Sequence, residues 1–144
     1  MKLKGIYQHN KKDCGVACLL TIIKYYNGNN IYENLRYLTK CDNTGISALN
    51  LIEASRKLGF TSRGLKCEYE DISKIKLPAI ANITVNNVYL HYVVIEKIIG
   101  NNIFVFDPDK GKIKYRKEIF KNIWNSIIIE LIPNRKLDKL EYKL

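Results

Sequence analysis

The chain has 144 residues, 47% of them hydrophobic and 26% charged, with a formal net charge of +10. That length suits one globular domain with a real core, and the run of about 18 apolar residues that a membrane-spanning helix needs is absent. The 24 basic residues are interleaved with 14 acidic ones along the whole chain, which argues against a nucleic-acid-binding face and for a lysine-rich solvated surface that attracts an acidic peptide partner.

The N-terminus MKLKGIYQHNKKD has neither an apolar stretch nor a small-residue cleavage site, so no secretory signal is expected. Free thiols in a reducing compartment are then expected for Cys14, Cys18, Cys41 and Cys67. Cys14 and Cys18 lie one helical turn apart, but C-x-x-C spacing is missing and there are only two histidines. No metal and no other cofactor is expected.

Residues 1–7 read as an extended lead-in and Gln8 to Lys12 as a loop passing over Cys14. At Cys14 the sequence changes character. Val16, Ala17, Leu19, Leu20, Ile22 and Ile23 are apolar on nearly every face and predict a helix buried on most sides, running to about Tyr26. Asp13 stands where an N-cap would be, with Cys14 and Gly15 in the first turn. Unpaired N–H groups and the helix dipole favour a thiolate at such a position, which suits a nucleophile. Gly15 would leave room there for a substrate backbone. His9, so close to Cys14 in sequence, reads as an exposed polar residue rather than a base.

A second helix is expected over Ile31 to Leu38 and a third over Ser47 to Leu58, with Ser47 as N-cap and Gly59 just past the end. The period then changes. Phe60 to Lys66 reads as a strand and Asp71 to Ile75 as a turn of helix. Ala79 to Val85 and Val88 to Ile99 are β-rich runs joined by an Asn86-Asn87 hairpin turn. After Gly100-Asn101-Asn102 come strands at Ile103 to Phe106 and Ile113 to Arg116, a short helix at Lys117 to Ile123, and a last strand at Ser126 to Ile132. Helices first and an antiparallel sheet afterwards define an α+β fold in one domain, residues 1–133. Residues 134–144 read as a charged tail or the start of a connection to a further domain.

His91 lies inside the apolar run Tyr89 to Val94, where an imidazole needs a partner. The next strand ends at Asp107-Pro108. With the turn centred near residues 99 and 100, His91 would stand opposite Asp107 or Pro108, within reach of the carboxylate. Cys14 as thiol nucleophile, His91 as base and Asp107 as its orienter make a set competent for acyl transfer. The Gln8 side chain and the Cys14 backbone N–H could receive the developing oxyanion.

These residues also carry a resemblance. Gln8, then Asp13, then Cys14-Gly15-Val16-Ala17-Cys18-Leu19 resembles the signature of bacteriocin-processing, papain-like cysteine peptidases, found at the N-terminus of peptide-exporting ABC transporters. His91-Tyr92-Val93-Val94, Asp107-Pro108 with Gly111, and Trp124 leading into Ser126 to Pro133 are similar to that family's later segments. Asn125-Ser126 departs from the Thr-Gly usual there, a difference expected to affect a turn and no chemistry. The resemblance covers roughly residues 5–133. It implies a papain-like fold, with helices packed on a C-terminal antiparallel sheet, and Cys14, His91, Asp107 and Gln8 as the catalytic set. It further implies cleavage after Gly-Gly or Gly-Ala in a precursor whose leader binds as an amphipathic helix, partly on the Ser47 to Leu58 helix. The partners would be the transmembrane and ATP-binding domains of an exporter, with this domain on the cytoplasmic side of the membrane. A docking domain that binds leaders without cutting is the alternative, and the presence of Cys14 argues against it. Cys18 reads as a buried small hydrophobe.

Overall fold

The computed structural model describes residues 2–142. Three helices come first: α1 (Cys14–Tyr25), α2 (Tyr32–Leu38) and α3 (Ala48–Lys57). The strands β1 (Phe60–Lys66), β2 (Ala79–Val85), β3 (Tyr89–Ile99), β4 (Asn102–Asp107), β5 (Gly111–Arg116) and β6 (Trp124–Pro133) come after them. A 3₁₀ turn at Tyr69–Lys74 and helix α4 (Lys117–Ile123) interrupt the strands. The arrangement is the expected α+β one.

All pairings in the sheet are antiparallel, and the strand order is β1-β6-β2-β3-β4-β5. The last strand therefore lies inside the sheet, between β1 and β2. Its sequence agrees with a position covered on both faces. Ile128 and Ile129 are both buried and point to opposite faces, which only a strand covered on both sides can satisfy. One face carries α1, α2 and α3 over Ile80, Val94, Phe106 and Ile129. The other buries Ala81, Val93, Ile95 and Val105 beneath Tyr69, Ile72 and Phe120, from the 3₁₀ turn and α4.

Helix α1 is the axis of the first core. Every residue from Cys14 to Ile23 is buried, as its almost wholly apolar sequence requires, and the one hydroxyl, Thr21, donates to the Ala17 carbonyl at 2.8 Å and accepts the Ile6 N–H at 2.9 Å. Ser47 caps α3 as expected, its hydroxyl accepting the Asn50 N–H at 3.1 Å. The Asn86-Asn87 hairpin turn also forms, with both residues at positive φ (53° and 56°).

Asp13 does not cap α1 through its side chain. Its carboxylate, fully buried, accepts the N–H groups of His9 and Asn10 at 3.1 Å each and the Arg36 guanidinium at 2.8 Å. It ties the loop before the helix to α2 instead. Gly15 likewise serves packing rather than open space. A Cβ there would stand 3.2–3.4 Å from Ile46, Leu51 and Tyr92, so the volume expected for a substrate is filled by protein.

The segment after Pro133 is partly docked. Leu137 is buried against Gly28, just past the end of α1, and main-chain bonds join Asn29 to Asp138 and to Leu140. Residues 143 and 144 of the expected tail lie outside the described residues. Among the described residues no helix is long and apolar enough to cross a membrane.

Candidate active site

The start of α1 meets the neighbouring ends of β2 and β3 in a cleft of about 540 Å³, lined among others by Gln8, Cys14, Asn82, His91 and Tyr92. Cys14 is the first residue of α1 and is nearly buried at the base of the cleft. Its sulfur accepts the Tyr92 backbone N–H at 3.4 Å. The Tyr92 hydroxyl in turn donates to the Ile46 carbonyl at 3.0 Å, joining β3 to the loop before α3.

His91 and Asp107 are both buried, and Nε2 of the imidazole lies 2.8 Å from Oδ1 of the carboxylate. The same Asp107 oxygen accepts the N–H groups of Asp109 (2.8 Å) and Lys110 (3.3 Å). Asp107 is thus both a turn-capping residue and the imidazole's partner. Burial pulls the His91 pKa down, but the hydrogen bonds to Asp107 and to the Cys14 sulfur outweigh it and push the pKa up to about 9. For Asp107, burial works upward. The His91 bond and the two backbone N–H groups overcome it, so the carboxyl titrates below its ordinary range. With Nε2 held by Asp107, Nδ1 is the nitrogen left for the thiol.

The strand register differs from the expected one. Val94 stands opposite Phe106, and a bulge between Ile95 and Lys97 adds a residue to β3. The turn is centred on Gly100-Asn101 rather than 99 and 100, so His91 lies past the last paired position and reaches Asp107 diagonally. A two-residue offset keeps both side chains on one face, which is why the contact still forms.

Gln8 lines the cleft, carried there by its own N–H, which donates to the Pro108 carbonyl at 2.9 Å. Its side-chain Nε2 donates to the Asn10 carbonyl at 2.9 Å, while Oε1 is buried without a partner among the described residues. His9 is exposed and stacks on Tyr32, with ring centroids 3.6 Å apart, and so stays out of the constellation. Cys18 is fully buried one turn below Cys14. Burial first, then the neighbouring Cys14 and Asp107, push its thiol well above the ordinary range, so it remains a neutral core residue.

Two features were not foreseen. Asp13 fixes the loop that brings Gln8 to the cleft, a role that an acid before a helix does not announce. Asn125, expected to matter only to a turn, donates from Nδ2 to Asn82 in the cleft wall at 2.7 Å. Its neighbour Ser126 takes φ of 63°, the conformation in which glycine is the usual residue.

A model of the Peptidase C39 family matches residues 2–136. The lactococcin-G-processing and transport ATP-binding protein LagD of Lactococcus lactis subsp. lactis is 38% identical over 142 residues, 97% of this chain and 20% of LagD. The SPbeta prophage-derived sublancin-168-processing and transport ATP-binding protein SunT of Bacillus subtilis (strain 168) is 35% identical over 144 residues, covering 94% of this chain and 20% of SunT. The chain thus spans about a fifth of the length of these relatives. Among solved structures, the peptidase domain of Streptococcus ComA, a bi-functional ABC transporter involved in a quorum sensing pathway, superposes with a TM-score of 0.86 at 31% identity, covering 92% of this chain and 99% of that one. A double glycine motif protease from an AMS/PCAT transporter, in complex with the leader peptide, gives 0.85 at 28% identity, covering 92% of each chain. With a family model spanning nearly its whole length, the chain belongs to the peptidase C39 family.

Proposed function

We propose that the protein is a thiol endopeptidase of the Cys-His-Asp type that removes the leader from a bacteriocin or signalling peptide precursor, cutting after Gly-Gly or Gly-Ala. Cys14 Sγ attacks the scissile carbonyl carbon, and the C–N bond breaks as His91 Nδ1 gives its proton to the leaving amine. Water then adds to the thioester, with His91 taking its proton, and the leader leaves as a carboxylic acid while the thiol is restored. Asp107 holds the imidazole by Nε2 throughout. The oxyanion is received by the Cys14 N–H, which as a first-turn group has no intrahelical acceptor, and by the second N–H of the Gln8 amide.

The observation that supports this reading most is the 2.8 Å contact of a buried imidazole with a buried carboxylate in the cleft that holds Cys14. The relatives' names, which join processing to ATP-driven transport, and the neighbour solved with its leader support the substrate class. On the same grounds the domain works on the cytoplasmic side of the membrane beside the transmembrane and ATP-binding domains of an exporter, and its leader docks as an amphipathic helix. Mass spectrometry of a double-glycine precursor incubated with the protein tests it. The expected products end and begin at the bond after the second glycine. A precursor left intact by the wild-type protein overturns the reading, as does a cut by Cys14→Ala equal to wild type.

A further inference from the structure

Asn82 is 7% exposed, yet it lies in the wall of the cleft that holds Cys14 and His91. It stands on β2 directly opposite Tyr92, the residue whose N–H reaches the Cys14 sulfur. Its side chain is held from behind. The Thr84 hydroxyl donates to Asn125 Oδ1 at 3.0 Å, and Asn125 Nδ2 donates to Asn82 Oδ1 at 2.7 Å. This relay engages the Asn82 oxygen and leaves its Nδ2 without a hydrogen bond among the described residues. The backbone is irregular at the same place. Pairing of β2 with β6 shifts register between Ala81 and Ile83: Ala81 faces Ile128 and Ile83 faces Trp124, so β6 carries the extra residues and bulges opposite Asn82 at the stretch that holds Asn125 and Ser126. The Asn82 Nδ2 is not among the buried unpartnered groups of the described residues, so it opens on the cleft, where water can take its protons in the free protein and a peptide carbonyl can replace that water.

We infer that Asn82 is a substrate-binding residue whose Nδ2 donates to a main-chain carbonyl of the peptide next to the scissile bond; the inference rests on the peptidase reading above. A backbone contact suits a substrate with glycines at the cut. Without side chains, the peptide can descend to the cleft wall, where a bulkier residue would hold its carbonyl away from the amide. Asn82 thereby selects for close backbone approach rather than for a side chain.

The test uses Asn82→Asp, which keeps an acceptor for Asn125 and removes the donor, with Asn82→Ala as the companion should the buried carboxylate impair folding. For a double-glycine peptide, kcat/KM should fall by about 10- to 100-fold, the value of one lost substrate hydrogen bond. The melting temperature and the iodoacetamide labelling rate of Cys14 should stay near wild type in the Asp variant. Peptides with one backbone carbonyl near the cut replaced by CH₂ then locate the contact. At one position the replacement should cost the wild-type enzyme as much as the mutation does, and cost the variant nothing further. Wild-type kcat/KM in Asn82→Asp overturns the inference, as does an equal cost of every carbonyl removal in both enzymes. Wild-type protein that cuts no double-glycine peptide overturns the peptidase reading itself, and with it the inference.

Discussion

The imidazole of His91 is where burial and pairing pull in opposite directions, and pairing wins. Its pKa of about 9 lies above the ordinary 6.5, so folding favours the imidazolium. That contribution to stability is complete below about pH 6.5 and is lost as pH rises through about 9. Activity should show the same limb, because the neutral ring has no proton for the leaving amine. Cleavage is expected to fall as pH rises through about 9, and Asp107→Asn should move that limb toward 6.5 while lowering turnover. A kcat–pH profile of the two enzymes measures this, and an unmoved alkaline limb would show that Asp107 does not hold the proton on His91. The two cysteines of α1 separate chemistry from packing. Cys14→Ala should abolish cleavage in a folded protein, whereas Cys18→Ala, at a fully buried position, should keep activity and lose about 1–2 kcal/mol of stability. Turnover and thermal melts of both variants decide it. At this scale residue type and spacing, with the family resemblance, pointed to Cys14, Gln8, His91 and Asp107; the first three line one cleft and Asp107 is buried in contact with His91. Asn82 was illegible, since an asparagine inside a β-rich run has a bland reading until its neighbours in space are known.

The element that organises the site is the loop from Gln8 to Asp13 entering α1. Three donors converge on the buried Asp13 carboxylate, two from the loop backbone and one from Arg36 on α2. Asp13→Ala removes the acceptor of all three, and Arg36 is only about a quarter exposed (27%). The variant should lose about 2 kcal/mol of stability and, on the proposed mechanism, a larger share of kcat than of peptide affinity, because the freed loop would no longer hold Gln8 in the cleft. Melting temperature and separate kcat and KM values test this, and a destabilised variant with wild-type kcat would detach the loop from the chemistry. Helix and strand limits were readable to within about two residues over most of the chain, because periodicity changes sharply at Cys14 and again at Phe60. Register was less readable. The bulge in β3 and the exact turn centre depend on backbone geometry that Gly100-Asn101-Asn102 does not specify.

Across the whole molecule, what the sequence concealed was long-range. The apolar run Ile127 to Ile129 agrees with a strand covered on both faces, but nothing local in it names β1 and β2 as its neighbours, and nothing in a charged C-terminal stretch says that Leu137 docks beside α1. The charge was legible from the start, and it has a consequence for the kinetics. A chain at +10, with Lys11 and Lys12 lining the cleft, would attract an acidic leader, if that is its substrate as proposed, over distances set by salt. The Debye length shrinks from about 30 Å at 0.01 M to about 8 Å at 0.15 M ionic strength. Association with an acidic leader should therefore slow as salt rises, whereas chemistry at saturating peptide, inside a nearly buried site, should not. The expected result is a severalfold fall in kcat/KM between those ionic strengths with kcat unchanged. A leader whose acidic residues are replaced by glutamine should start lower and show a nearly flat profile. Parallel falls for the acidic and neutral leaders would assign the salt effect to the fold or to the catalytic step and remove electrostatic attraction from the account.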